Sequence, residues 1–154
     1  MDIKIFGCDC STKVVAIFGI QNKKGVGYEF TSSKEDASSR INDMFIQLVK
    51  FFKDEEPDMV YIENSPYLQN IKVTLQIHSV VDSVRFACVF NGIPFQTVEV
   101  TSWKKHVLGN GRADKSAIKQ FAVAKWGEQL ISSQDLADAS TIAQYGWMRM
   151  TNEE

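Results

Sequence analysis

Four acidic residues carry the chemistry open to this chain: Asp9, Glu63, Asp135 and Asp138. Asp9 follows the apolar run Ile3-Lys4-Ile5-Phe6-Gly7-Cys8, and Glu63 closes Met59-Val60-Tyr61-Ile62, so both stand at the ends of segments that read as strands. An acid in such a place costs free energy unless something neutralises it, and the placement asks for a cation. Asp135 and Asp138 lie three residues apart in Ser132-Ser133-Gln134-Asp135-Leu136-Ala137-Asp138-Ala139, where helical geometry sets both side chains on one side. Their mutual repulsion serves no structural purpose. The plainer alternative is that acids in a first turn answer the helix dipole, with Ser132 or Ser133 as the cap.

The apolar pattern predicts the elements that must hold these acids. Strands are expected over residues 4–9, 14–20 and 27–30, then a helix capped by Ser38 or Ser39, in which Ile41, Met44, Phe45, Leu48, Val49 and Phe52 recur at helical spacing. The strand ending at Glu63 is followed by Pro66, which cannot continue a ladder. A long helix over residues 73–90 ends at Asn91-Gly92. A strand over 95–100, one helical turn over 102–107, a helix over 115–126 capped by Asp114 and a last helix over 134–150 complete the order βββαβαβαα. This is an α/β pattern: a mixed five-stranded sheet, three antiparallel strands first and then parallel ones, with helices on both faces.

With 154 residues and 44% hydrophobic content, the chain is expected to form a single domain over residues 1–154. No apolar stretch reads as the roughly 20 residues needed to span a bilayer, and the N-terminus reads as a strand rather than a signal peptide, so a soluble, cytoplasmic protein is expected. Cys8, Cys10 and Cys88 are an odd number without zinc spacing, which points to reduced thiols, with Cys10 open to either a site-facing or a turn-packing role.

A net charge of −2 opposes a polyanionic partner only until its distribution is considered. Setting the four acids aside leaves 17 basic against 15 acidic residues. Six Lys or Arg with one acid, Asp114, lie between Trp103 and Lys125: Lys104, Lys105, Arg112, Lys115, Lys119 and Lys125. A solvated helix face is the ordinary explanation of such a cluster. Against it stand Gly109 and Gly111, which let backbone approach a phosphate, and a following helix start with N–H groups to offer.

This order of acids and elements resembles the RNase H-like nucleases and, within them, the RuvC family of Holliday junction resolvases. The resemblance covers most of the chain. Gly7-Cys8-Asp9 matches the first family motif, Tyr61-Ile62-Glu63 the second, and Asp135-Leu136-Ala137-Asp138-Ala139 the last; Lys104, Gly109-Asn110-Gly111 and Ala113-Asp114-Lys115 match the basic insert between them. Two departures stand out. Cys10-Ser11 replaces the usual proline-glycine after the first aspartate, and His78-Ser79-Val80-Val81-Asp82-Ser83-Val84-Arg85 replaces the small, glycine-containing stretch where bacterial subunits pack. With its short end after the last helix, the chain looks like a compact phage or viral relative.

The resemblance implies two Mg²⁺ ions per site, with Mn²⁺ able to substitute, held by Asp9, Glu63, Asp135 and Asp138 about 4 Å apart across a scissile phosphate. Lys104 and Lys115 would hold phosphate or balance charge. The product would be a nick with a 5′ phosphate and a 3′ hydroxyl, and a homodimer would make paired nicks in a four-way junction. Tyr67, beside Pro66 and Leu68, is a candidate for stacking on a base or for turn packing, and Asn70 for capping the long helix or touching phosphate. Lys105, Arg112 and Lys119 complete the candidate DNA contacts. His78 reads as packed or interfacial, His106 as a phosphate contact or plainly exposed, and Trp103, Trp126 and Trp147 as core or interface anchors. Val73, Ile77, Val80, Val81, Val84 and Cys88 form a stripe suited to a helix-helix dimer. Competing functions on the same scaffold are a hybrid, flap or branch nuclease of less strict selectivity, and a catalytically idle junction-binding protein.

Overall fold

The computed structural model describes residues 2–65 and 67–153, so the ladder-ending role expected of Pro66 lies outside the described residues. Strands β1 (Lys4–Cys10), β2 (Val15–Gln21) and β3 (Lys24–Phe30) lead into helix α1 (Ala37–Glu55). Strand β4 (Met59–Glu63), helix α2 (Ile71–Phe90) and strand β5 (Phe95–Val98) follow, and then helices α3 (Val100–Leu108), α4 (Lys115–Trp126) and α5 (Gln134–Thr151). The sheet order is β3-β2-β1-β4-β5. β1 is antiparallel to β2 and parallel to β4, β2 is antiparallel to β3, and β4 is parallel to β5. This is the expected mixed sheet.

Alternation along the strands divides the core in two. Ile5, Ala16, Phe18, Ile20 and Tyr61 face α3, α4 and α5, burying Ile118, Ile142 and Ala143 among others. Phe6, Cys8, Val15, Ile17, Val60 and Ile62 face α1 and α2, meeting Met44, Leu48, Phe52, Val80 and Val84. The same parity sends Asp9 and Glu63 toward α5 and Cys10 toward the opposite layer, where it packs at the margin of the second core. Turn packing, not the acids, thus accounts for the direction of Cys10.

α5 lies unusually close to the sheet. A Cβ on Gly7 would come within 2.3 Å of the Ala143 backbone nitrogen, and one on Gly146 within 2.3 Å of the Tyr61 ring. Glycine at both positions lets the helix seat directly on β1 and β4.

Several elements differ from expectation for identifiable reasons. β3 begins at Lys24 rather than residue 27, because Gly25 belongs to the strand as well: a Cβ on Gly25 would strike the Phe18 and Trp126 rings. α1 is capped by Asp36, whose carboxylate accepts from the Ser39 N–H at 2.9 Å, and not by Ser38 or Ser39. β5 stops at Val98, and α3 is a nine-residue helix rather than one turn, anchored by buried Trp103. α2 starts at Ile71, two residues early, and at 20 residues is apolar and long enough to cross a membrane by length and composition. That qualifies the expectation that no such stretch exists. Here the helix lies along the sheet and against α1, with Thr74, Ile77, Val80, Val81, Val84 and Cys88 buried.

This burial also corrects the expected dimer stripe. Ile77, Val80, Val81, Val84 and Cys88 are consumed by the chain's own core, with Val73 packed at its margin. The apolar residues of α2 left facing solvent are Ile71, Leu75, Phe86, Val89 and Phe90.

Candidate active site

β1 and β4 run parallel with Cys8 opposite Ile62, so one step further along Asp9 and Glu63 stand side by side on strands about 5 Å apart. Both point toward the first turn of α5. There Ser133 caps the helix, accepting from the Leu136 N–H at 3.1 Å and donating to Glu29 on β3 at 2.8 Å. Ser133 fills the capping role that the helix-dipole alternative foresaw, with Asp135 in the first turn; what that alternative does not account for is that Asp135 and Asp138 both also act on Asp9. Asp138 accepts from the Gln134 side chain at 3.0 Å. Asp135 lies within hydrogen-bonding reach of Asp9. The structure therefore brings all four sequence-identified acids to one end of the sheet.

Their electrostatics record that crowding. Burial pushes Asp9 well above the usual carboxylate range, with the charges of Glu63, Asp138 and Asp135 adding to the effect. Glu63 rises from 4.5 to about 7, chiefly by burial and further by Asp138, while a hydrogen bond from Trp103 and the charge of Lys104 pull it back. Asp138 is raised by burial and Asp135, against the Gln134 hydrogen bond and the ammonium groups of Lys104 and Lys115. Buried Asp9 and half-buried Glu63 and Asp138 resist being ionised together, and with Asp135 beside them they offer the oxygen donors that suit a hard divalent cation. Among the described residues no three His, Cys, Asp or Glu side chains close into a ready-made cation cage. The fit rests on the donor set and its excess negative charge.

α3 supplies the neighbouring positive charge. Its last turn ends at Gly109, in the left-handed region at φ 76°, with the Gly109 N–H donating to the Lys105 carbonyl at 2.9 Å. A helix stop thus explains this glycine. Asn110 then holds the turn, its side chain accepting from the Arg112 N–H at 2.9 Å and its carbonyl from the Ala113 N–H at 3.1 Å. Asp114 caps α4, accepting from the Ala117 N–H at 2.8 Å. The expected cap thus sets a carboxylate at the start of α4, so positive charge there comes from side chains. Lys104 and Lys115 are the two that reach the acids electrostatically; Lys105 and Arg112 are exposed, and Lys119 lies one turn beyond Lys115, half-buried.

Other candidates separate. Tyr67 is 91% exposed, its ring 5.8 Å from that of half-buried His78, so turn packing does not account for it. Asn70 caps α2 through the Val73 N–H at 3.2 Å. His106 meets the Tyr145 ring edge-on at 5.3 Å. Trp126 packs against Phe18, and Trp147 donates to Glu153 at 3.0 Å. Trp103 is more than an anchor: only 1% exposed, it directs its indole N–H at Glu63 Oε2, 2.8 Å away. Forty residues separate the pair, and nothing in the local pattern signals it.

Comparison with known proteins agrees with this geometry. A family model described as Crossover junction endodeoxyribonuclease RuvC matches residues 10–144. A protein of the same description from Geotalea uraniireducens (strain Rf4) is 25% identical over 148 residues, covering 92% of this chain and 86% of its own. One from Carboxydothermus hydrogenoformans is 26% identical over 154 residues, covering 96% and 98%. Among solved structures, T. thermophilus RuvC in complex with Holliday junction substrate superposes with a TM-score of 0.82 at 18% identity, covering 97% of this chain and 96% of that one. The Fowlpox virus resolvase in complex with Holliday junction DNA gives 0.60 at 8% identity, covering 98% and 100%. At such identities the structural likeness speaks for a shared fold.

Proposed function

Since the chain belongs to the RuvC family of crossover junction endodeoxyribonucleases, we propose that it resolves four-way and other branched DNA junctions by paired nicks, each leaving a 5′ phosphate and a 3′ hydroxyl. One observation carries the reading: two strand ends and one helix turn each contribute carboxylates to a single point, with lysines from two further helices beside them. The family is one of metal-dependent nucleases, generally using Mg²⁺. In this chain we assign two such ions, replaceable by Mn²⁺, to Asp9, Glu63, Asp135 and Asp138. When bound, they would supply Lewis acidity for an in-line attack of water on the scissile phosphodiester.

The chain's own residues do the rest. Asp9 interacts with all three other acids. Lys104 and Lys115 hold the scissile phosphate and offset charge that develops on it, a role worth several kcal/mol in a water-poor site. Lys105, Arg112 and Lys119 extend positive charge along the flanking backbone, and Tyr67 offers a ring to an unpaired base at the crossover. Asn70 is committed to its cap and keeps at most its amide N–H groups for phosphate.

Two nicks related by a two-fold axis require two copies of the site, and the exposed α2 residues Ile71, Leu75, Phe86, Val89 and Phe90 offer a self-complementary apolar face for a homodimer. The single sheet with helices on both faces supports one nuclease domain over the whole chain. Its relatives' action on DNA supports a DNA-associated protein, which we place in the cytoplasm.

The test is cleavage of a synthetic four-way junction beside a linear duplex, a flap and an RNA–DNA hybrid, in Mg²⁺ and in Mn²⁺. Paired symmetric nicks in the junction are expected, with little cutting of the other substrates. Equal cleavage of the hybrid or flap would replace this reading with a less selective nuclease, and binding without cutting would replace it with a junction-binding protein.

A further inference from the structure

Trp103 is placed to do something that its burial alone does not require. A core tryptophan needs only some acceptor for its indole N–H, and a backbone carbonyl or water would serve. This one donates at 2.8 Å to Oε2 of the half-buried Glu63. The supports around it are stiff. The Asn64 backbone N–H donates to the Val98 carbonyl at 2.8 Å, and the Asn64 side chain donates to Glu99 Oε1 at 2.7 Å. These bonds tie the end of β4 to the start of α3. One turn along α3, Trp103 reaches back to the residue immediately before Asn64. Its neighbour Lys104 is the lysine whose charge acts on both Glu63 and Asp138.

We infer that Trp103 is a positioning residue for the acidic site: its indole N–H selects the orientation of the Glu63 carboxylate, engaging Oε2 so that Oε1 is presented to a divalent cation. An indole suits this task. It is a donor only, it does not titrate in the working range, and it cannot itself bind a hard cation. Groups that hydrogen-bond to metal ligands in this way commonly govern 10–100-fold in metal affinity. Trp103 further couples two functions in one helix, because the residue that orients the acid also fixes where α3 delivers Lys104. The inference rests on the reading of Glu63 as a cation ligand.

The three tryptophans make a direct test possible, since their indole N–H groups differ in surroundings: Trp103 donates to Glu63, Trp147 to Glu153, and Trp126 to no acceptor among the described residues. ¹H–¹⁵N spectra of the full chain, assigned by single Trp→Phe variants, should show the Trp103 indole resonance moving on Mg²⁺ addition and broadening selectively with substoichiometric Mn²⁺. The Trp126 and Trp147 resonances should stay in place. In parallel, Trp103→Phe should raise the Mg²⁺ concentration for half-maximal binding in calorimetry by about 10-fold, within the range for such neighbours. Uptake of Mg²⁺ with an unmoved Trp103 resonance overturns the orienting role while leaving the site reading intact. Absence of any Mg²⁺ uptake overturns both. Should Trp103→Phe fail to fold, the spectra of the unsubstituted protein decide alone.

Discussion

Replacing Glu63 with glutamine should make the metal-free protein more stable at pH 8 than the unsubstituted chain. Glu63 rises from its ordinary 4.5 to about 7 because burial and the charge of Asp138 outweigh the Trp103 hydrogen bond and Lys104. A carboxyl raised in this way holds its proton more tightly in the native state than in the unfolded one. Its contribution to stability is therefore fully present below about pH 4.5 and is lost as the pH climbs through 7. At about 1.4 kcal/mol for each pH unit, the full loss is about 3 kcal/mol. Glutamine avoids it: the amide never ionises, its oxygen still accepts from Trp103, and its nitrogen turns a repulsion with Asp138 into a donor. Urea unfolding in EDTA, followed by circular dichroism, should show Glu63→Gln ahead by about 3 kcal/mol at pH 8 and nearly level with the parent at pH 4.5. Mg²⁺ should then restore the parent alone, by about 2.7 kcal/mol at a hundred times its dissociation constant. A variant less stable than, or equal to, the parent at pH 8 without metal would refute the claim that the ionised Glu63 is held at a cost.

Asp9→Asn should abolish nicking of a four-way junction while leaving junction binding equal or tighter in a gel-shift assay, because a repulsive charge near phosphate disappears. Binding lost in step with cleavage would count against a ligand role. Gly7→Ala should destabilise the fold by roughly 3 kcal/mol in urea titration, since the added methyl meets the backbone of Ala143 rather than a movable side chain. Leu75→Lys combined with Phe86→Glu should shift the chain to monomer in sedimentation with little change in Tm, because both side chains are exposed in the single chain. An unchanged dimer would move the interface elsewhere. Tyr67→Ala should weaken junction binding by about 1–3 kcal/mol, as expected for loss of one base-stacking ring.

The acids were legible in the sequence because each interrupts a pattern. Asp9 and Glu63 end apolar runs of strand length, and Asp135 and Asp138 share one helical side. Once strand parity is applied to β1 and β4, even the direction of Asp9 and Glu63 follows. What escaped was whatever depends on partners distant in the chain. α2 is apolar on two sides, and periodicity does not say which side the sheet will take, so the stripe with the β-branched residues looked free when the core had claimed it. Gly25 fell outside the strand expected over residues 27–30, although in β3 it and Gly27 are what let Phe18 and Leu136 approach. α3 looked like a single turn because Val100-Thr101-Ser102 is a poor helix start; burial of Trp103 overrides that propensity. The bond from Trp103 to Glu63 has no local signature of any kind.

The close seating of α5 on β1 and β4 has a consequence for how such a protein can change. Glycine at positions 7 and 146 lets α5 seat on the strands, whereas the proposed substrate contacts lie on the segment after Glu63 and around the turn between α3 and α4. Loops of that kind can be lengthened, recharged or exchanged without shifting the helix against the strands. Selection can therefore explore new nucleic-acid shapes in one compartment of the molecule while the chemistry in the other is inherited unaltered.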